Sequence, residues 1–168
     1  MPVSYPVPNW RALRAEDLPA LSRVAEIVHP GFPEDDAVFA ERLALAPDWC
    51  LALASENLLM GYVLSHPWHD GAPPRLNSLI GALPSPPSAA YIHDLALLPE
   101  TRGGGHGQTI VNRLISQAKS RGLAAMALVA VSGSVPFWER QGFRALPPDP
   151  ILASYGPDAR LMRLALAC

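Results

Sequence analysis

The sequence is poor in cysteine, in charged residues and in long apolar runs, and each shortage excludes a class of protein. Two cysteines among 168 residues provide neither a disulfide framework nor the ligand spacing of a metal site. We therefore expect no bound metal. Cys50 lies inside an apolar run and should pack in the core, whereas Cys168 should belong to a frayed tail.

Charge makes up only 17% of the residues and is nearly balanced, with 13 basic and 15 acidic side chains. A net charge of -2 offers no broad positive field for a nucleic acid or an anionic membrane. The apolar runs are broken by proline, glycine or charge, and the N-terminus lacks the order of a signal peptide. We expect a cytoplasmic monomer or homodimer without nucleic-acid or membrane partners.

Hydrophobic residues nonetheless form 49% of the chain, enough for a core, and the length fits a single domain spanning residues 1–168. Helical and strand-like spacings alternate along the sequence. The predicted helices cover residues 15–28, 34–47, the stretch from the glycine cluster at 102–107 to 121–122, and 136–141. The predicted strands cover residues 10–13, 49–54, 58–65, 89–98, 124–131, 143–146 and 159–166. This order predicts an α/β fold, with a mixed sheet and helices on both faces.

The segment between residues 66 and 88 is rich in proline and shows little periodicity. We interpret it as a long surface loop with at most one helical turn, around residues 76–80. Loops of this length in compact domains often carry function.

A glycine cluster stands between a predicted strand and a predicted helix. Residues 102–107, with the sequence RGGGHG, contain four glycines in six positions. At the start of a helix, unpaired backbone N–H groups and the positive end of the helix dipole converge. Glycine leaves these amides open to phosphate oxygens and permits left-handed dihedrals. The cluster therefore predicts a pyrophosphate site, and the alternative is a merely flexible turn.

Spacing narrows the choice of pyrophosphate. No Gly-Lys-Ser/Thr follows the cluster, which excludes a P-loop. Ile110 stands where a dinucleotide fingerprint starting at Gly105 needs glycine or alanine. Coenzyme A remains.

The cluster and its surroundings resemble the GNAT superfamily of N-acetyltransferases. Arg102, Gly105 and Gly107 match the Arg/Gln-x-x-Gly-x-Gly/Ala signature, after a strand with the sequence Leu-Ala-Leu at 95–97. Residues 135–143, VPFWERQGF, resemble the Val-Pro-Phe-Tyr element of the arylalkylamine N-acetyltransferase branch. The resemblance implies a mostly antiparallel sheet of six to seven strands, a splayed slot for acetyl-CoA, and acetyl transfer to an amine.

The resemblance also implies where acetyl-CoA binds. Amides of residues 103–108 would hold the pyrophosphate, the backbone of Leu97 would pair with pantetheine like an added strand, and the N–H near Leu95 would face the thioester oxygen. The full set of implied coenzyme contacts is Leu95, Ala96, Leu97, Arg102, Gly103, Gly104, Gly105, His106, Gly107, Gln108, Ser134, Phe137 and Trp138.

Acetyl transfer needs a base, because an alkylammonium group with a pKa of about 10 must lose a proton before it attacks. Strand alternation puts His93 on one face with Leu95, so His93 is our first candidate. In the arylalkylamine branch it corresponds to one of two paired histidines, and Tyr91 replaces the other. Asp94 is the alternative if a bulge turns it to that face, since other members carry an acidic base on this strand.

The acid that protonates the departing thiolate is less clear from the sequence. The superfamily's usual tyrosine is replaced here by Trp138, whose indole N–H does not ionise near neutral pH. Tyr155 is a candidate because its loop could fold over the site. The other candidates are Tyr91, Ser132, Ser134 or water.

The acceptor pocket is expected between residues 28 and 36 and in the proline-rich loop, with Phe32, Trp68 and Tyr91 against the acceptor. We expect a small-molecule amine that bears an aromatic or apolar group. Two alternatives stay open. The first is a non-catalytic CoA-binding sensor, which the missing tyrosine makes conceivable, and the second is an acyltransferase for a protein N-terminus or lysine, which an open peptide groove would favour.

Overall fold

The computed structural model describes residues 6–167, which form four α-helices and a seven-stranded sheet. The helices are α1 (Leu18–Val28), α2 (Asp36–Leu45), α3 (His106–Ser120) and α4 (Val135–Arg140). The strands are β1 (Asn9–Ala12), β2 (Cys50–Ser55), β3 (Leu58–Trp68), β4 (Ala89–Leu97), β5 (Ala125–Ala130), β6 (Arg144–Ala145) and β7 (Arg160–Ala165). The predicted α/β fold with a mixed, mostly antiparallel sheet is confirmed.

The strand order is β1-β2-β3-β4-β5-β7-β6, and β4 and β5 are the parallel neighbours. Their pairing is short, from Ala89 opposite Ala125 to Ile92 opposite Leu128. Both strands continue past this point, β4 to Leu97 and β5 to Ala130, without pairing to each other. The sheet therefore splays at its centre, as the resemblance implies.

Helices cover both faces of the sheet because each presents one apolar stripe. On one face, Ile110 and Leu114 of α3 are fully buried in a core that also includes Met126 of β5. On the other face, Leu21 of α1 and Phe39 of α2 pack over the strands. The splayed strands are thus clamped between α3 on one side and the α1–α2 pair on the other.

The proline-rich loop begins later than predicted. β3 extends to Trp68, so the irregular segment begins at residue 69 instead of 66. Residues 76–80 form no helical turn, which agrees with the prediction of at most one. The reason is that backbone N–H groups in this stretch donate to carboxylates instead of to helical carbonyls. The pairs are Asn77 with Glu34, Ile80 with Glu41, and Gly81 with Glu41.

Cys50 is 1% exposed and packs in the core, as predicted, whereas Cys168 lies outside the described residues. Within residues 6–167, no helix combines the length and apolar character needed to span a membrane. Across the same residues, no three His, Cys, Asp or Glu side chains converge to hold a metal ion.

Candidate active site

The splayed ends of β4 and β5 open into a cavity of about 750 Å³. One end, which we call the cradle end, is bordered by residues 102–108 and by α4. The other, the acceptor end, is bordered by the segment between α1 and α2 and by Leu76 and Tyr155. Because no strand bridges the gap beyond Ile92, the backbone of β4 is open there to an extended ligand.

Gly105 begins α3 in a conformation that suits glycine. Its φ of 78° lies in the left-handed region, as does the 88° of Gly103. A Cβ on either residue would meet no atom within 4 Å, so open space lies beside both. The Thr109 amide donates to the carbonyl of Gly105, and the amides before it in the first turn have no helical acceptor. These amides remain available for an anion.

Close packing at Gly107 and one side-chain hydrogen bond hold this turn in place. A Cβ on Gly107 would lie 3.1 Å from Cζ of Phe137 and 3.5 Å from a methyl of Leu97. The indole N–H of Trp10 donates to the carbonyl of His106 at 3.0 Å. Open space therefore lies beside Gly103 and Gly105, while close packing at Gly107 and the bond from Trp10 hold the turn in place, and this arrangement fits the diphosphate of coenzyme A.

Most of the residues implied to contact coenzyme A line this cavity. They are Leu95, Leu97, Arg102, Gly103, Gly105, His106, Gly107, Gln108, Ser134, Phe137 and Trp138. Ala96 does not, because it is fully buried in the core beneath α1. Among the residues that the structure describes, Gly104 does not line the cavity either. Arg102 donates to the carbonyl of Leu97 at 3.3 Å, so pantetheine would replace this bond if it pairs there.

A β-bulge determines which side chains reach the acceptor end. The register between β3 and β4 shifts at His93, which is one residue extra on β4. Leu95 packs against the core under α3, whereas Asp94 hydrogen-bonds to Tyr62 and His93 to Glu34 on the α1 side. The predicted common face of His93 and Leu95 is therefore wrong, because the bulge interrupts the alternation. Asp94 stays paired in register with Leu64 and lies opposite Leu95 by ordinary alternation, so the bulge turns His93 to the side of Asp94 and does not turn Asp94 to the side of Leu95.

Two carboxylate–histidine pairs meet at this end of the cavity. Nε2 of His29 lies 2.9 Å from Oδ1 of Asp94, and these side chains are 20% and 12% exposed. Nε2 of His93 lies 2.7 Å from Oε1 of Glu34, and these side chains are 1% and 5% exposed. His93 as a whole residue is half-buried, so it borders the cavity mainly through its backbone.

Asp94 and His29 shift each other's protonation. Burial lowers the pKa of His29, but the hydrogen bond and charge of Asp94 outweigh it and raise the pKa above its usual 6.5. Burial raises the pKa of Asp94, yet the hydrogen bonds from His29 and Tyr62 and the His29 charge hold it below its usual 3.8. The pair is therefore stabilised in its charged form.

Sequence reasoning missed His29 and Glu34 as individual residues, although both lie in the segment expected to shape the acceptor pocket. His29 is the C-cap of α1, and its amide donates to the carbonyl of Ala25. A cation is favoured at a helix C-terminus, so its position was an available signal. Glu34 meets a partner 59 residues away, which no local pattern reveals.

Tyr155 lines the acceptor end from a 3-10 turn at Pro150–Tyr155. Its hydroxyl donates to the carbonyl of Pro74 at 3.0 Å, and burial raises the pKa of the phenol to about 12. Trp138 forms part of the wall, with its ring edge against Phe137 and Phe143.

The three predicted acceptor contacts separate into two groups. Phe32 lines the cavity, as expected of it. Trp68 and Tyr91 do not line it in the part of the chain that the structure describes, and this placement corrects the prediction. Tyr91 is 2% exposed and packs in a small core with Tyr155, and Trp68 packs against the same core. Tyr155 thus occupies the position between these aromatic rings and the cavity.

The fold is shared with other solved structures at low sequence identity. Ard1 from Thermoplasma volcanium is 13% identical with a TM-score of 0.75, over 97% of this chain and 100% of that one. Naa50 from Arabidopsis thaliana, in complex with the bisubstrate analogue CoA-Ac-MVNAL, is 15% identical with a TM-score of 0.71, over 95% and 99%. The loading GNATL domain of CurA from Lyngbya majuscula is 14% identical with a TM-score of 0.78, over 95% and 98%.

No curated protein matches the sequence of this chain. The model of the acetyltransferase (GNAT) family does match, over residues 10–143, which include the glycine turn, the bulged strand and α4. The chain therefore belongs to the GNAT family and is an acetyl-CoA-dependent acetyltransferase.

Proposed function

We propose that this chain transfers the acetyl group of acetyl-CoA to the primary amine of a small molecule with an apolar or aromatic body. The observation that carries the proposal is the continuous cavity of about 750 Å³ that joins the cradle end to the acceptor end. Acetyl-CoA supplies a thioester whose carbonyl carbon the amine attacks directly.

A covered acceptor end supports a small acceptor. We call residues 74–81, a part of the proline-rich loop, the strap, and Leu76 lines the cavity from it. Amides of the strap donate to Glu34 at 3.0 Å and to Glu41 at 2.7 and 3.0 Å. An extended peptide needs an open groove on this side, and a groove would require these bonds to break. They therefore favour a compact acceptor.

Side chains at the acceptor end support an apolar body next to a cationic amine. Val28, Phe32 and Leu76 provide apolar surface, while Glu34 and Asp94 provide negative charge that attracts an ammonium group. Together with the sequence of α4, this surface supports a finer proposal, kinship with the arylalkylamine branch.

The catalytic groups proposed from the sequence all border the cavity. His93 and Asp94 each belong to one of the two carboxylate–histidine pairs, and one of these pairs is proposed to take the proton of the amine. Tyr155 is proposed as the acid for the departing thiolate. Its pKa of about 12 keeps the phenol protonated at neutral pH, and it must release the Pro74 carbonyl to act.

A protein or peptide acceptor is the second candidate. The favouring observation is the likeness in fold to Ard1 and to Naa50, the latter bound to a peptide bisubstrate analogue. A CoA-binding sensor without catalysis is the third, favoured by Trp138 in the place of the usual tyrosine.

A thiol-release assay with acetyl-CoA across arylalkylamines, polyamines, lysine and peptides tests these candidates. We expect release with arylalkylamines, and a higher KM for them in Phe32→Ala at an unchanged KM for acetyl-CoA. Ile27→Ala, which alters an exposed side chain outside the cavity, is the matched control. Release with polyamines or peptides alone would contradict the proposal, and coenzyme binding without release from any acceptor would identify a sensor.

A further inference from the structure

Either of the two carboxylate–histidine pairs could take the proton of the acceptor amine, and the two pairs differ in how exposed they are to the cavity. The His93 side chain is 1% exposed and is held at 2.7 Å by Glu34. The other oxygen of Glu34 accepts from the Asn77 amide at 3.0 Å. Both oxygens of Glu34 thus connect β4 to the strap, so this pair is a structural connection.

The His29–Asp94 pair is more open and is held in a fixed orientation. Oδ1 of Asp94 binds Nε2 of His29 at 2.9 Å, and its Oδ2 accepts from the Tyr62 hydroxyl at 2.5 Å. Since Tyr62 is fully buried in the core, it anchors the carboxylate, and the carboxylate in turn orients the imidazole. With Nε2 bound to Asp94, the nitrogen left for a proton is Nδ1 of His29.

Nδ1 of His29 is enclosed and has no partner anywhere in residues 6–167. A buried nitrogen without a partner is costly. His29 lines the cavity, so an acceptor N–H that displaces the atoms covering Nδ1 would give this nitrogen a partner. The backbone of Leu95 lies beside the same ring and is among the groups that raise the pKa of His29. His29 therefore stands next to the strand position at which the thioester is expected.

We propose that His29, oriented by Asp94 and Tyr62, is the base that deprotonates the acceptor amine, an inference that rests on the proposed function. His29 takes one proton from the ammonium group and later releases it to solvent. The freed lone pair forms the C–N bond to the acetyl carbon, and the C–S bond breaks. The second nitrogen proton ends on sulfur, so the products are the amide, the thiol and one proton. In this scheme His29 is catalytic, and Asp94 and Tyr62 are positioning residues.

The charged and titratable groups facing His29 set the pH at which it acts. Asp94 contacts it from β4, and the charge of Glu34 acts on it from the segment before α2. Tyr62 of β3 and His93 of β4 act on Asp94. Because the hydrogen bond and charge of Asp94 raise the pKa of His29, the acid limb of the pH–rate profile should lie above pH 6.5. In Asp94→Asn the charge that raises the pKa of His29 most directly is lost while burial still lowers the pKa, so this limb should move to lower pH.

The test compares pH profiles of kcat/KM for wild type, His29→Gln, His93→Gln and Asp94→Asn, with His69→Gln as the control. His69 is exposed and lies outside the cavity lining. We expect His29→Gln to lower kcat by about 10²-fold or more and to lose the acid limb, at an unchanged Kd for coenzyme A. We expect Asp94→Asn to shift the limb down, and His93→Gln to keep it.

Outcomes separate this inference from the function on which it rests. An active wild type whose acid limb survives in His29→Gln, or disappears in His93→Gln instead, overturns the inference alone. A wild type that acetylates no amine overturns both. If His29→Gln does not fold, a ¹⁵N titration of the His29 ring in wild type and Asp94→Asn decides. A midpoint above 6.5 that falls in the variant supports the inference, and an unchanged midpoint overturns it.

Discussion

The left-handed backbone conformation of Gly105 directly shapes the proposed pyrophosphate site. Its φ of 78° costs a residue with a Cβ about 1 kcal/mol, and the added methyl would enter the open space bordering the cavity. We therefore expect Gly105→Ala to weaken coenzyme A binding at least tenfold, as measured by calorimetry.

Gly122 offers a matched control at the other end of α3. Its φ of 73° imposes a similar backbone cost, and it also has no neighbour within 4 Å of an added Cβ. Gly122→Ala should lose comparable stability at an unchanged Kd for coenzyme A. Equal weakening in both variants would mean that backbone strain, and not access to the amides, is responsible.

Tyr155→Phe tests the proposed acid. Removal of the hydroxyl leaves the ring in place, so binding of acetyl-CoA should persist while thiol release slows by about 10²-fold. The measurement is kcat under saturating substrates. Substrates with a better leaving thiol should recover part of the rate, and a variant with wild-type kcat would exclude Tyr155.

His66 should make stability depend on pH. It is fully buried against Tyr91 and Trp68, and burial lowers its pKa to about 3, whereas the unfolded chain binds the proton near 6.5. Below pH 6.5 the unfolded state holds more protons than the folded state. The free energy of unfolding should therefore decrease as the pH is lowered, by at most about 1.4 kcal/mol per pH unit for this group. His66→Phe should show a shallower decline in acid denaturation series, and identical slopes would refute this origin.

At this scale the sequence predicts what is local. The glycine turn could be identified because φ, free amides and a helix start are properties of adjacent residues. The orientation of His93 could not, since a bulge depends on the pairing of β4 with β3. The contacts of Glu34 with His93 and Asn77 join segments distant in sequence, so only the folded chain reveals them.

Among the elements, the strap is the one whose attachment to α2 can be tested by itself. Glu41 accepts from the Ile80 and Gly81 amides and from Nη1 of the fully buried Arg42. Glu41→Ala removes all of these acceptors at once. We expect a loss of about 2 kcal/mol in the free energy of unfolding and faster hydrogen exchange in residues 74–81.

The same variant should raise KM for the acceptor while Kd for coenzyme A stays unchanged, because the strap borders the acceptor end only. Glu26→Ala, an exposed position on α1, is the control for loss of an acidic helix residue. Unchanged exchange in the strap would show that its other contacts suffice to hold it.

Elements with a strong period were predicted to within a few residues, α1 and β4 among them. The strap was correctly predicted to be irregular, but its conformation was not predicted, because proline content indicates only a lack of periodicity. Its actual conformation is set by carboxylates of α2 and of the segment before it, and these are tertiary contacts. Tyr155 lies in a 3-10 turn too short to produce a recognisable pattern.

For the whole molecule, the splay of β4 from β5 is the feature that makes a transferase of this sheet. It opens one cavity with anion-binding amides at one end and paired carboxylates and histidines at the other. The resemblance carried by the glycine signature implied the splayed slot, and the structure shows the splay. The shared architecture does not identify the acceptor, and we propose that the segment after α1 and the strap select it.

The most direct measurement is a calorimetric comparison of coenzyme A with pantetheine, which lacks the diphosphate, on the wild-type chain. If the amides of residues 103–108 hold the diphosphate, coenzyme A should bind one to one and pantetheine at least tenfold more weakly. Equal affinity for the two compounds, or no heat with either, would contradict the account.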